Sequence, residues 1–305
     1  MGWIALAVAA GLVTALVAGW RYAHATNSVA LLDLADRVLA GNSGSRVALR
    51  NAAFGADPAQ RLDVIAPDGP GPHPVLVFIH GGGWHSGVPG EYGFIGRHFA
   101  RAGYVVVLPG YRLGKEGRYP HMLQDGAAAL AWVQANAARL GGDPQRVFVM
   151  GHSAGAYNAV MLALEQRWLA EAGVPRGFIK GVVGLSGPYD FYPFTSDSAR
   201  DAFGHVADPR TTQPVNHVLG AAPPMLLLTG DADETVKMRN SVALAAKLSA
   251  AGQPIQPVVL PGVNHAGPVL KLAAPFNRDR SVIEPVLAFL AKHGGASATV
   301  QAPSL

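Results

Sequence analysis

Residues 149–157 read VMGHSAGAY, and they close the apolar run RVFVMGHS (146–153). Within them, Gly151-His152-Ser153-Ala154-Gly155 has the Gly-x-Ser-x-Gly form, in which a sharp strand-to-helix turn lifts a serine hydroxyl clear of its sheet. Glycines stand two places either side because the backbone doubles back and leaves no room for larger side chains. With 37 glycines in 305 residues, the pentapeptide alone is a weak signal. Its position decides. Ser153 ends a strand-like run and directly precedes AYNAVMLALEQRWLAEAG (156–173), a helical stretch.

The same alternation extends outward in both directions. RLDVIAP (61–67), PVLVFIHG (74–81), YVVVLPGY (104–111), IKGVVGLSG (179–187), PPMLLLTG (223–230) and QPVVLPG (256–262) read as strands. Most are continuously apolar, as expected of strands buried on both faces. Between them, MLQDGAAALAWVQANAARLGG (122–142), SVALAAKLSAAG (241–252) and VIEPVLAFLAKHG (282–294) read as helices. Strand and helix in turn predict an α/β fold with a mostly parallel sheet covered on both faces. We read one domain over 46–295, a flexible tail over 296–305, and a connector over 26–45 whose LLDLADRVLAGN (31–42) spaces its leucines as a helix does.

Half the residues are hydrophobic and 14% are charged, which suits a packed globule. The formal net charge of +4 comes without any basic run, so nucleic acid is not an expected partner. No cysteine is present, which excludes disulfides, thiolate metal sites and cysteine nucleophiles. The sequence implies no metal and no organic cofactor.

Residues 3–20, WIALAVAAGLVTALVAGW, have Thr14 as their only conventional polar side chain. As a helix the segment would span ~27 Å, close to the hydrocarbon thickness of a bilayer, and its terminal tryptophans suit the two interfaces. Residues 1–25 are therefore expected to be an N-terminal apolar helix, either a membrane anchor or a signal segment cut after Ala23-His24-Ala25. Arg21 and Arg37 follow the segment, so the positive-inside rule keeps the body cytoplasmic, while a signal-type segment exports it.

A second glycine-rich motif, HGGGW (80–84), follows the strand PVLVFI. Acyl transfer needs hydrogen-bond donors preplaced where negative charge develops. The N–H groups of Gly82, Gly83 and Ala154 are assigned to that oxyanion hole. A serine also needs a histidine to take its proton and a carboxylate to orient that histidine. Among eleven histidines, His265 alone lies in a loop just after the last strand. His80 and His152 flank the glycine motifs and read as structural. The strand PPMLLLTG runs into Asp231, Asp233 and Glu234, any of which can supply the carboxylate. Trp84, His85 and Tyr157 are placed at the rim of the site.

Taken in order, HGGGW, YRL (111–113), DPQRVFVMGHSAG (143–155), LSGPYDF (185–191), GDADETV (230–236) and NHAG (264–267) resemble an α/β-hydrolase. The similarity is to carboxylesterases of the hormone-sensitive-lipase and bacterial feruloyl-esterase-like type, over roughly 46–294. It implies a serine hydrolase that cleaves small-molecule esters, short-chain or aryl, through an acyl-enzyme on Ser153, Asp233 and His265. The acid of that family lies third after the glycine of Gly-x-x-Asp-x-x-Val, hence Asp233, with Asp231 as fallback. Thr229, Lys237 and Gly110 depart from the family pattern without removing a catalytic atom. Asp190 reads as a turn residue, and 192–222 as a wall over the acyl pocket. The alternatives on the same residues are an arylformamidase-type amide hydrolase, a peptidase and a catalytically silent binding protein.

Overall fold

A computed structural model describes residues 29–220, 222–274 and 276–294. The expected anchor or signal segment (1–25) and the tail (296–305) lie outside the described residues, as does the first part of the connector. Among the described residues no helix is long and apolar enough to cross a membrane.

Eight strands form one sheet: β1 (Ser45–Ala53), β2 (Arg61–Pro67), β3 (His73–Ile79), β4 (Val105–Pro109), β5 (Gly142–His152), β6 (Ile179–Leu185), β7 (Met225–Gly230) and β8 (Val258–Leu260). Their spatial order is β1-β2-β4-β3-β5-β6-β7-β8. β2 runs antiparallel to both β1 and β4, and all other neighbours are parallel. This is the mostly parallel sheet expected from the sequence.

The strand sequences divide cleanly between two cores because successive side chains point to opposite faces. Val75, Val77, Val105, Val107, Val147, Val149, Val182 and Leu227 enter one cluster. Leu76, Phe78, Val106, Leu108, Phe148, Met150, Val183 and Leu228 enter the other. The first is covered by α3 (His121–Asn136), α4 (Ala154–Leu164) and α7 (Arg239–Ala250), through residues such as Leu123, Leu130, Val160 and Leu244. The second is covered by α2 (Gly93–Arg101) and α8 (Ile283–His293), through Phe94, Phe99, Val286 and Leu290. Continuous apolar strands are thus required. Either face left polar would meet a helix.

Two expected helices are shorter than their sequence patterns. The 122–142 stretch leaves α-helix at Asn136, makes a 3-10 turn over Ala138–Leu140, and ends at Gly141 with φ 82°, so that Gly142 already opens β5. The 156–173 stretch breaks after Leu164 and resumes as α5 (Arg167–Glu171). At the break Glu165 accepts from the Trp168 indole N–H at 2.7 Å and pairs with Arg167 at 2.6 Å. The connector carries helix α1 (Val29–Ala40), which is docked rather than loose: Arg97 of α2 reaches Asp33 at 2.9 Å and Asp36 at 2.5 Å.

Candidate active site

Strand order reverses between β3 and β5, and ligands of open α/β sheets bind at the carboxyl ends beside such a switch. The two glycine motifs lie at those ends. In the register of the sheet Gly151 pairs with Ile79 on one side and Gly184 on the other.

The elbow is as tight as its sequence requires. Ser153 has φ 54° and ψ −122°, a conformation L-residues rarely adopt, and its N–H donates to the Leu185 carbonyl at 2.9 Å. A Cβ on Gly151 would stand 2.2 Å from the Gly155 carbonyl oxygen, and one on Gly155 only 2.0 Å from that of Ile79. Neither position accepts any other residue.

Three side chains from separate loops form one hydrogen-bonded chain. His265 Nδ1 lies 2.7 Å from Asp233 Oδ2, and its Nε2 lies 2.8 Å from Ser153 Oγ. A carboxylate only accepts, so His265 donates from Nδ1 and accepts from the serine hydroxyl at Nε2. Asp233 is nearly fully buried, and its other oxygen accepts from the Thr235 and Val236 amides at 3.0 and 2.8 Å. Burial alone would raise the Asp233 pKa, but the His265 hydrogen bond and charge with the Val236 amide outweigh it and hold the carboxyl below its usual range. Asp231, the fallback, is elsewhere engaged: it caps a turn by accepting from the Gly262 amide at 2.7 Å. Glu234 is exposed.

His80 hydrogen-bonds within its own turn, as expected, whereas His152 reaches across to the loop of His265. His152 Nε2 donates to the His265 carbonyl at 2.9 Å, with the two rings 5.0 Å apart. Burial and then the nearby His265 charge lower its pKa to about 3, so it stays neutral. His80 stacks on Tyr111 at 4.6 Å and donates from Nδ1 to the Gly81 carbonyl at 2.8 Å; burial lowers its pKa to about 4.

These bonds aim the glycine loop. The Gly81 carbonyl is turned to His80, while that of Gly82 accepts from the His85 and Ser86 amides at 3.1 Å each. In a trans peptide the next N–H points the opposite way, so the Gly82 and Gly83 amides face away from those donors. Neither finds an acceptor among the described residues. A Cβ on Gly81 would lie 3.2 Å from Ser153 Cβ, which measures how closely this loop meets the elbow. Ala154 opens α4, so its N–H has no carbonyl one turn back.

The rim assignment needs correction. His85 is exposed, but Trp84 and Tyr157 are interior, at 4% and 0% exposure. Tyr157 lies on α4, which is buried from Ala154 through Ala163, so it cannot reach a rim. Trp84, with φ 61°, packs edge-on to Tyr157 and to Phe203 at 5.4 and 4.8 Å, and its indole N–H donates to Asn158 at 3.2 Å. Phe191 and Phe194 join this cluster, and Phe203 comes from α6 (Asp197–Phe203). Sequence reasoning marked 192–222 as a wall but missed these phenylalanines, whose spacing in the chain carries no period. Asp190 sits in a turn whose amides, with that of Tyr189, donate to Asn240 Oδ1 at 2.9 and 3.0 Å. Among the described residues no group of three His, Asp or Glu side chains is arranged to hold a metal.

The sheet order and the elbow together define an α/β-hydrolase fold. The BD-FAE family model matches residues 62–248, more than half of the chain, and the chain belongs to that family. His265 lies beyond the matched span and joins the site through its hydrogen bonds to Asp233 and Ser153. A probable isoprenylcysteine alpha-carbonyl methylesterase of Oryza sativa subsp. japonica is 27% identical over 267 residues, covering 81% of this chain and 64% of the relative. Esterase LipC of Mycobacterium tuberculosis is 31% identical over 239 residues, covering 71% of this chain and 59% of the relative. The chain thus spans about three fifths of the length of these curated relatives. Among solved structures, esterase B from Lactobacillus Rhamnosis superposes with a TM-score of 0.73 at 22% identity, covering 92% of this chain and 96% of that one; it shares the fold.

Proposed function

We propose that the protein is a serine carboxylesterase acting on small, short-chain or aryl esters. The observation that carries this reading is the unbroken hydrogen-bond chain from Asp233 through His265 to Ser153. Ser153 Oγ attacks the ester carbonyl carbon while its proton passes to His265 Nε2. The carbonyl electron pair moves onto oxygen, where the amides of Gly82, Gly83 and Ala154 receive the charge. Collapse expels the alcohol, which takes the proton from His265 and leaves Ser153 acylated. Water repeats the sequence and releases the acid. Asp233, held ionised, keeps His265 in the accepting tautomer and stabilises the imidazolium.

Ester rather than amide chemistry is supported by the names of the relatives, a methylesterase and an esterase. Phe191 and Phe194, the part-exposed members of the aromatic cluster backed by interior Trp84 and Phe203, suit contact with a small acyl or aryl group. His85 and Ser198 border Gly83 on its outer side. Residues 46–295 form the catalytic domain in this reading, and 3–20 tether it to a membrane when uncleaved. Turnover of matched aryl esters and aryl amides by one purified preparation tests the proposal. Ester hydrolysis abolished by Ser153→Ala is the expected outcome; amide turnover exceeding ester turnover contradicts it.

A further inference from the structure

Helix α1 packs Val29 and Leu32 against the core, but the rest of it is inverted relative to an ordinary surface helix. Its buried side chains include two acids, Asp33 and Asp36, whereas Leu34, Val38 and Leu39 are exposed at 56, 76 and 61%. A surface helix normally turns its apolar stripe to the core and its charges outward. The inward acids have their explanation in Arg97 and in the Ala274 amide, which donates to Asp36 at 3.0 Å. The outward leucines and valine have none among the described residues. With Val47 of β1 they make four of the ten strongly exposed large apolar side chains described, gathered within fourteen residues. Single exposures of this kind are ordinary, but a cluster marks a contact surface.

Basic side chains lie beside the apolar ones. Arg37, Arg46, Arg50 and Arg97 line one cavity of about 210 Å³, to which Asp63 contributes the sole acid. Arg37 is tied to Asp33 at 2.7 Å and Arg97 to both buried acids. Arg46 and Arg50 are exposed and have no ion-pair partner among the described residues. An apolar stripe flanked by arginines has the chemistry of a helix lying in a bilayer interface, its apolar side at the acyl boundary and its cations at anionic headgroups.

We propose that α1 and the start of β1 form a face that rests on a bilayer carrying anionic lipid, with Leu34, Val38 and Leu39 inserted and Arg46 and Arg50 against headgroup phosphates. Chain length agrees. Residues 21–28, which separate the apolar run 3–20 from α1, reach at most about 28 Å, so a tethered chain keeps α1 at the surface. The face goes beyond the tether, because it also sets how the catalytic domain is turned toward the lipid.

The absence of cysteine makes the test clean, since Leu34→Cys or Val38→Cys gives a single labelling site in the full chain. Val242→Cys, exposed on α7 across the sheet, serves as control. Spin labels are read for accessibility to oxygen and to an aqueous nickel chelate, in phosphatidylcholine vesicles with and without phosphatidylglycerol. Labels at 34 and 38 are expected to favour oxygen on the phosphatidylglycerol vesicles while the label at 242 favours nickel. Arg46→Glu with Arg50→Glu should reduce that insertion by about tenfold or more, with hydrolysis of a soluble ester unchanged. A chain that floats with vesicles while positions 34 and 38 stay in water refutes the docking face and leaves the tether standing. Labels that insert on a chain stripped from vesicles by alkaline carbonate support the face and refute the tether. Labels shielded from both reagents without vesicles mean that the chain itself or a second copy covers the face, and that overturns the proposal.

Discussion

Two of the hydrogen-bond networks built on buried acids among the described residues end in opposite ways. Beside α1, Asp33 and Asp36 close on Arg97, and the remaining Asp36 oxygen accepts from the Ala274 amide. At the sheet end, Asp233 is equally buried but leads through His265 to the Ser153 hydroxyl on a half-buried turn. The first network satisfies itself and holds a helix in place. The second delivers its polarisation to an oxygen that a ligand can meet, on a residue held at an unfavourable φ. Burial of a carboxylate therefore does not mark a functional site. What marks it is where the hydrogen-bond chain stops.

That contrast sets the scale of each substitution. Ser153→Ala or His265→Ala is expected to lower kcat on a soluble aryl ester by roughly a million-fold, and the double variant no further, because the open chain acts as one unit. Steady-state kinetics of the three proteins measure this. Additive losses would mean that the two residues act separately. Asp233→Asn should cost about ten-thousand-fold in kcat by presenting the wrong histidine tautomer. Asp231→Asn, which only loosens the turn at Gly262, should stay within severalfold.

The closed network should respond in stability and not in rate. Arg97→Met strands Asp33 and Asp36, a loss of about 3–5 kcal/mol by analogy with other broken buried pairs. A lower denaturant midpoint with kcat unchanged per folded molecule is the expected result. A loss of kcat without a loss of stability would join the two networks and break the comparison.

A smaller effect per group should follow pH. His152 beside the active site and His98 near α1 are pushed by burial to about 3 and about 4, as is His80 to about 4. Each is neutral when folded and binds a proton when unfolded below about 6.5. Stability therefore falls on acidification from 6.5 toward the folded values, by about 2 kcal/mol per histidine at pH 5. Asp233, held low, works in the same direction at more acid pH. Denaturation midpoints across pH 7 to 5 check the slope, and His98→Gln should remove its own share while leaving turnover intact.

Much of this was legible because the central strands are buried on both faces. Their apolar runs announce a covered sheet, and the Gly151 and Gly155 contacts leave no choice at the elbow. The acid was not legible from residues alone, since Asp231, Asp233 and Glu234 share one strand end; the family register singled out Asp233. Helix α2 escaped notice because GFIGRHFAR mixes two glycines with three basic side chains. It is held by the packing of Phe94, Ile95 and Phe99 and by Arg97, whose partners lie more than sixty residues away in the chain. Non-local contact of that kind has no sequence signature. The misplaced rim has the same origin: nothing in the local sequence tells that Trp84 and Tyr157 close on Phe203, which arrives from α6.

The central claim is that Ser153 ends the open chain and is nucleophilic for that reason. Intact-mass analysis with peptide mapping after exposure to a fluorophosphonate measures this directly. The account predicts one adduct per chain, on Ser153, formed in wild type and strongly slowed in both His265→Ala and Asp233→Asn. An adduct on another residue, or labelling of Ser153 that persists at the wild-type rate without His265, would contradict it.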